Sequence, residues 1–197
     1  QWQYKPSNDL TFNAGLHYIR LFYNHSSSAE PRASLKWDLS KKSSLAFGYG
    51  LHSQVQPLGV YFAQVEDGAG NIVQSHHFVL SHQYRLGKNL RLKTELYYQH
   101  LFNVPVSVYD TSSFSVLNVE NDYVTDPLVN KGKGKNYGIE ISLEKYLDNN
   151  FYYTLSNSLY QSKYTAADGK ERSTRFNGNY IVTFLAGKDF LSANKLR

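Results

Sequence analysis

The side chains able to do chemistry are scattered along this sequence rather than gathered. Seven histidines invite a metal reading. His76 and His77, however, are adjacent in a segment that alternates like a strand, and strand neighbours point to opposite faces. No set of His, Asp and Glu has the spacing of a zinc site. Glu140 and Glu144 form a candidate acid pair, but four residues of strand separate them by about 13 Å, too far for either glycosidase geometry. Asp67-Gly68-Ala69-Gly70-Asn71 and Asp168-Gly169 read as turns, where glycine supplies a positive φ, and neither continues as a calcium-binding loop. Gly132-Lys133-Gly134-Lys135 lacks the gap and the trailing Ser or Thr of a phosphate loop and reads as a loop end. Cysteine is absent, so there is neither a disulfide framework nor a thiolate site. No catalytic residue, metal site or cofactor is assigned, and the chain is expected not to be an enzyme.

Groups suited to binding lie in two long links, 56–75 and 103–135. Segments of that length are usually functional or disordered. The candidates are Tyr61, Phe62, Glu66, Tyr109, Phe114, Asp122, Tyr123 and Asp126, aromatic faces beside carboxylates. The alternative is that these aromatics only pack their own loops.

The elements that must position those loops are strands. In 136–164, Tyr137, Ile139, Ile141 and Leu143 share one face, and Gly138, Glu140, Ser142 and Glu144 share the other. After Asp148-Asn149-Asn150 the alternation resumes with Phe151, Tyr153, Leu155 and Leu159, which makes a hairpin. Similar patterns predict strands near 10–23, 33–39, 44–55, 76–86, 90–102 and 176–188, with a stub at 1–5. A soluble sheet has the same period, so period alone does not name the solvent. Length does more: the hairpin arms reach about eleven residues, as a tilted strand crossing a bilayer requires, against about five to six in soluble sheets. The links also alternate. Residues 6–9, 40–43, 87–89 and 148–150 are tight, whereas 24–32, 56–75, 103–135 and 164–175 are long. A meander then carries all its short turns at one end and its long loops at the other, as outer-membrane barrels do.

Composition agrees with that architecture. The mean hydropathy is -0.50, and no apolar run approaches the length of a membrane helix, which leaves a barrel open because barrel strands hide half their residues from lipid. The 17 Tyr and 11 Phe suit strand pairing and the belts where membrane meets water. The net charge of +5 is spread over turns and strand ends, at Lys41-Lys42, Lys88 and Lys131-Lys133-Lys135, without the continuous stripe that nucleic acid needs. A solvated rim or anionic lipid head groups account for these lysines. Arg32, Lys36, Asp38, Lys93 and Glu95 fall on the polar face and are expected to pair between neighbouring strands. The absence of methionine and the strand-like run near Arg197 suggest a piece of something longer.

Four stretches carry a resemblance: "EPRASLKWDLSKKSSLAFGYGLHSQVQPLGVYF" (30–62), "LKTELYYQHLFNVPV" (92–106), "LVNKGKGKNYGIEISLEKYL" (128–147) and "SLYQSKYTAADGKERSTRFNGNYIVTFLAGKDF" (158–190). Over nearly the whole chain the sequence resembles the barrel of TonB-dependent outer-membrane receptors, notably the Bacteroidetes type with a carboxypeptidase-regulatory-like N-terminal domain. The resemblance implies an all-β, antiparallel, up-and-down transmembrane segment of about eight to nine strands within a larger, 22-stranded plugged barrel. Residues 1–197 would be a partial barrel, with the plug and the remaining strands outside it. It further implies the outer membrane of a Gram-negative cell, lipid around the wall, TonB acting through the plug, and uptake of a scarce metal chelate, cofactor or glycan. Two other readings stay open. One is a complete eight-stranded outer-membrane barrel acting as adhesin or enzyme, marked by pairing of its first and last strands. The other is a soluble basic β-sheet protein that binds nucleic acid or glycan.

Overall fold

A computed structural model describes residues 1–65, 72–119, 124, 126–148 and 150–190. The described residues form a single antiparallel sheet of ten strands. In order these are β1 (Trp2–Tyr4), β2 (Leu10–Arg20), β3 (Ser27–Asp38), β4 (Ser43–Gln54), β5 (Val73–Arg85), β6 (Leu90–Ser107), β7 (Leu128–Asp148), β8 (Phe151–Thr165), β9 (Glu171–Ser173) and β10 (Tyr180–Lys188). A five-residue helix, α1 (Leu58–Phe62), and a 3-10 turn at Val116–Asn118 lie in two of the loops. Each strand from β1 to β8 pairs with the next, β10 lies against β8, and the three-residue β9 extends the loop end of β8. The edges of the path are β1 and β10, which are not paired to one another.

Ten strands exceed the eight to nine expected: β1 is the stub expected at 1–5, and the strand not foreseen is β9, whose three residues are too short to show an alternation. At the loop end β3, β5, β6, β7 and β8 run farther than their patterns suggest, whereas β2 stops at Arg20, short of the expected 23, and β10 starts at Tyr180 rather than 176. β3 begins at Ser27, so the first long link is only residues 21–26. Pro31 and the serine run look like breakers, yet Glu30 and Arg32 keep the face alternation going, in register with His17 and Gly15. β6 continues through Pro105, and β7 starts at Leu128, so the expected 103–135 link shrinks to residues 108–127. The Gly132-Lys133-Gly134-Lys135 stretch is accordingly strand rather than loop end. The parity survives: links 5–9, 39–42, 86–89 and 149–150 lie at one end, and 21–26, 55–72, 108–127 and the 166–179 segment holding β9 at the other.

Burial is inverted relative to a water-soluble protein. Ser75, Ser81 and Ser142, on the polar face, are covered, while their strand neighbours Leu80 and Ile141, on the apolar face, stand 41% and 45% exposed. Phe47, Leu96, Leu155, Leu159, Val182 and Phe184 are exposed in the same way. No second layer covers this face among the described residues. The buried apolar residues Val60, Tyr61, Ile72, Val73, Val104, Val106, Leu128, Val129, Tyr164 and Ala166 all collect at the loop end. There α1 and the extended ends of β5 to β8 enclose a small core.

Candidate functional site

The polar face is a wall of mixed charge. On β3, Glu30 is 2% exposed; its carboxylate accepts from Arg32 Nη2 at 2.9 Å and from Ser53 Oγ, and meets His17 Nδ1 at 3.0 Å. Lys36 pairs with Asp38 at 2.7 Å, Lys93 with Glu95 at 2.5 Å, and Arg91 with Glu144 at 2.5 Å. The expected cross-strand pairing of Arg32, Lys36, Asp38, Lys93 and Glu95 is corrected here, since each closes its bond along its own strand. The register gives the reason. Arg32 lies between Gly15 and Gly50, Lys36 between Thr11 and Ala46, and Lys93 between Gln83 and Ser142, so no carboxylate stands opposite. Arg91 faces Glu144 directly and pairs across the strands.

Small residues open recesses in this wall. One of about 490 Å³ is bordered by Gly15, Ser34, Gly48 and Gly50, with Arg32 and His77 in the row of Gly15 and Gly50 and His52 beyond it toward the loop end. The His52 and His77 rings lie 4.4 Å apart. His76 points the other way, within 3.0 Å of the Tyr49 hydroxyl, as strand parity requires. A second recess, of about 570 Å³, is bordered by Glu95, Tyr97, Gln99, Asn136, Glu140 and Tyr160. No group of three or more potential metal ligands converges among the described residues.

The loop rim holds the binding candidates, and the structure separates them. Tyr61 is 5% exposed in the loop-end core, its hydroxyl oxygen accepting from Gln56 N at 3.1 Å. Burial pushes its phenol above the ordinary value of 10.0. Phe62, next in α1, is 68% exposed. Tyr109 is exposed, whereas Phe114 and Asp126 are half-buried in the 108–127 loop. Glu66, Asp122 and Tyr123 lie outside the described residues. Sequence reasoning missed Tyr23 in the 21–26 turn. Its ring stands 5.8 Å from Phe62 and 6.1 Å from Tyr61, so the β2–β3 hairpin joins the same aromatic cluster. The signal was present in the adjacent Phe22-Tyr23 pair at the strand end.

The loops are tied to one another. Tyr164 Oη donates to Ser113 O at 3.2 Å, and Arg175 N donates to Asn118 Oδ1 at 3.0 Å, tying the end of β8 and the 166–179 segment to the 108–127 loop. Within the 166–179 segment, Arg172 grips Asp168 through both terminal guanidinium nitrogens, Nη1 and Nη2, at 2.9 and 2.5 Å. That fork holds the Asp168 carboxyl at about 2, below its ordinary 3.8. Lys135 and Lys163 together lower Glu171. Gly169 adopts φ of 71°, as the tight turn after Asp168 needs.

Comparison with known proteins agrees with this architecture. No curated protein matches the sequence. Among solved structures, the ferric-catecholate import receptor Fiu from E. coli K12 is similar, with a TM-score of 0.67 and 12% identity over 93% of this chain and 30% of that one. The alcaligin outer-membrane receptor FauA from Bordetella pertussis gives a TM-score of 0.65 and 13% identity over 97% of this chain and 33% of its own. The FrpB iron transporter from Neisseria meningitidis (F3-3 variant) gives 0.63 and 14%, over 95% of this chain and 29% of its own. The chain thus spans about a third of the length of these structures. Residues 1–190 match the family described as TonB dependent receptor-like, beta-barrel. With its antiparallel strands, its exposed apolar face and its loops gathered at one end, the chain belongs to the TonB-dependent receptor family.

Proposed function

We propose that this chain forms wall and outer rim of a TonB-dependent receptor barrel in the outer membrane of a Gram-negative cell, serving active uptake of a scarce ligand. The observation that carries this is the exposed apolar face behind a covered polar one. On β7 that face reads Lys145, Leu143, Ile141, Ile139, Tyr137, Lys135. At the usual rise and tilt, the ten residue steps from Lys135 to Lys145 span a height of about 25 Å, that of the apolar band of outer-membrane barrels. The edges β1 and β10 would pair with further strands of the same receptor, since unpaired strand edges are costly. A plug domain would fill the space before the polar wall, and TonB would act through that plug. The Bacteroidetes type, with its carboxypeptidase-regulatory-like domain, is the subtype this reading carries. No bond is made or broken by the chain, so it is a transporter segment rather than an enzyme.

The ligand would be a metal chelate, cofactor or glycan met first by the rim. Phe62, Tyr109, Phe114 and Asp126 are the contacts proposed there, with Tyr61 supporting Phe62 from beneath and Glu66, Asp122 and Tyr123 in the same two loops. The test expresses the full receptor in a Gram-negative host, fractionates the envelope, and follows uptake of a panel of chelates, cofactors and oligosaccharides with and without TonB. Outer-membrane residence and TonB-dependent uptake of a panel member are expected. Recovery as a soluble protein would sink the proposal.

A further inference from the structure

The apolar face changes character abruptly at the loop end, and it does so along hydrogen-bonded rows that run across the strands. Tyr49, Phe78, Tyr98 and Tyr137 pair in sequence from β4 to β7 and form one aromatic row. The next row toward the loops on the same face is Leu51, His76, His100, Lys135 and Lys163. Farther along β7, Lys133 and Lys131 continue the face and are exposed. Against these cations stands Glu171, reached by Lys135 Nζ at 2.5 Å and Lys163 Nζ at 3.3 Å. Lys131 and Lys133 have no ion-pair partner among the described residues. A groove of about 210 Å³ runs between Tyr98, His100, Lys133, Lys135, Lys163 and Glu171.

We propose that this groove holds the phosphate-bearing head group of a lipid in the leaflet on the loop side of the membrane. The proposal rests on the membrane-spanning reading above. Charge complementarity and position select the occupant. The lysines lie one strand repeat beyond an aromatic row of the kind that sits at the membrane–water boundary, about 7 Å along the strand, where lipid phosphates reside. Acyl chains continuing from such a head group would lie along Tyr98, Tyr137, Leu96 and Ile139. A soluble anion would gain nothing from that apolar track. Glu171 keeps two of the lysines extended toward the groove but also competes with the phosphate for them.

The test uses the full receptor purified in neutral detergent and titrated with lipid A, a bis-phosphorylated glycolipid, with phosphatidylcholine as the zwitterionic comparison, bound lipid being counted by native mass spectrometry. Lipid A should bind and phosphatidylcholine should not. The triple variant Lys133→Gln, Lys135→Gln, Lys163→Gln should bind lipid A about tenfold more weakly or worse. Glu171→Gln should bind it more tightly, and Lys41→Gln with Lys42→Gln and Lys88→Gln, at the opposite end of the strands, should leave it unchanged. If the triple variant does not fold, Lys133→Gln alone, an exposed position with no ion-pair partner among the described residues, should still lose about fivefold. Unchanged binding in the triple variant, or in Lys133→Gln, overturns the proposal, as does displacement of lipid A by inorganic phosphate at equal concentration. A wild-type receptor that fails to enter the membrane fraction would instead refute the barrel reading, independently of these titrations.

Discussion

Arg91 on β6 and Glu144 on β7 stand opposite one another in register and close an ion pair at 2.5 Å between strands. Both side chains are about a quarter exposed, and Arg91 also lies over the Tyr146 ring at 5.4 Å. A double-mutant cycle with Arg91→Gln and Glu144→Gln should give a coupling of about 0.5–1 kcal/mol, in the range of partly solvated pairs. Urea unfolding of the full receptor in vesicles measures it. A coupling of zero would mean that the bond is not made in solution.

Phe47 and Gly48 are adjacent on β4 and face opposite ways, Phe47 exposed on the apolar face and Gly48 on the polar one with nothing within 4 Å of where a Cβ would sit. Phe47→Arg should cost about 2 kcal/mol or more, as a charge on the lipid face does, and Gly48→Arg much less. Equal losses in an unfolding titration in vesicles would contradict the proposed placement of lipid and water.

Gly138 sits where its neighbours leave no room for a side chain. A Cβ there would meet Leu159 O at 2.5 Å, Tyr97 Oη at 2.8 Å and Tyr160 Cβ at 2.9 Å. The first of these is backbone and cannot swing aside. Gly138→Val should therefore destabilise the receptor by about 1–3 kcal/mol, read as a lower midpoint in the same titration. Gly87→Ala, in an open turn, should change nothing.

The Asp168–Arg172 clasp is sensitive to acid. Its carboxyl is lowered to about 2 from 3.8, so the folded turn binds its proton less readily than the unfolded chain. The clasp contributes fully above pH 3.8 and fades as pH falls through about 2. Limited proteolysis with pepsin should leave the β8–β9 turn intact near pH 4 and cut it near pH 2, and Asp168→Asn should be cut at both.

Phe62 and Tyr61 separate binding from support at the rim. Phe62→Ala removes an exposed ring and should lower ligand uptake while leaving the unfolding midpoint within about 0.5 kcal/mol of wild type. Tyr61→Ala removes a buried ring and its bond with Gln56, and should cost about 3–5 kcal/mol. Uptake unaffected by Phe62→Ala would remove that residue from the binding surface.

Much of this protein is legible in the order of its residues. Period-two alternation is a local property, so the faces of β2, β4, β6, β7 and β8 follow from neighbours alone. Link parity follows from the same alternation, because the turns lie where it stops. The four stretches that carry the family resemblance are likewise local runs of sequence. What escaped that reading depended on chain segments distant in sequence. The extension of β6 through Pro105 and of β7 back to Leu128 is held by Val104, Val106, Leu128 and Val129, which have no shared signature until the two strands meet. Only register shows that Lys93 faces Ser142 and Gln83, and so turns to Glu95 on its own strand. Tyr23 joins Phe62 because the β2–β3 hairpin and α1 arrive at the same rim, and His100, Lys135 and Lys163 become one polar row because three strands align. Local spacing fixes which way a side chain points; which side chains stand beside it is a matter of long-range pairing, and that is decided when the sheet forms.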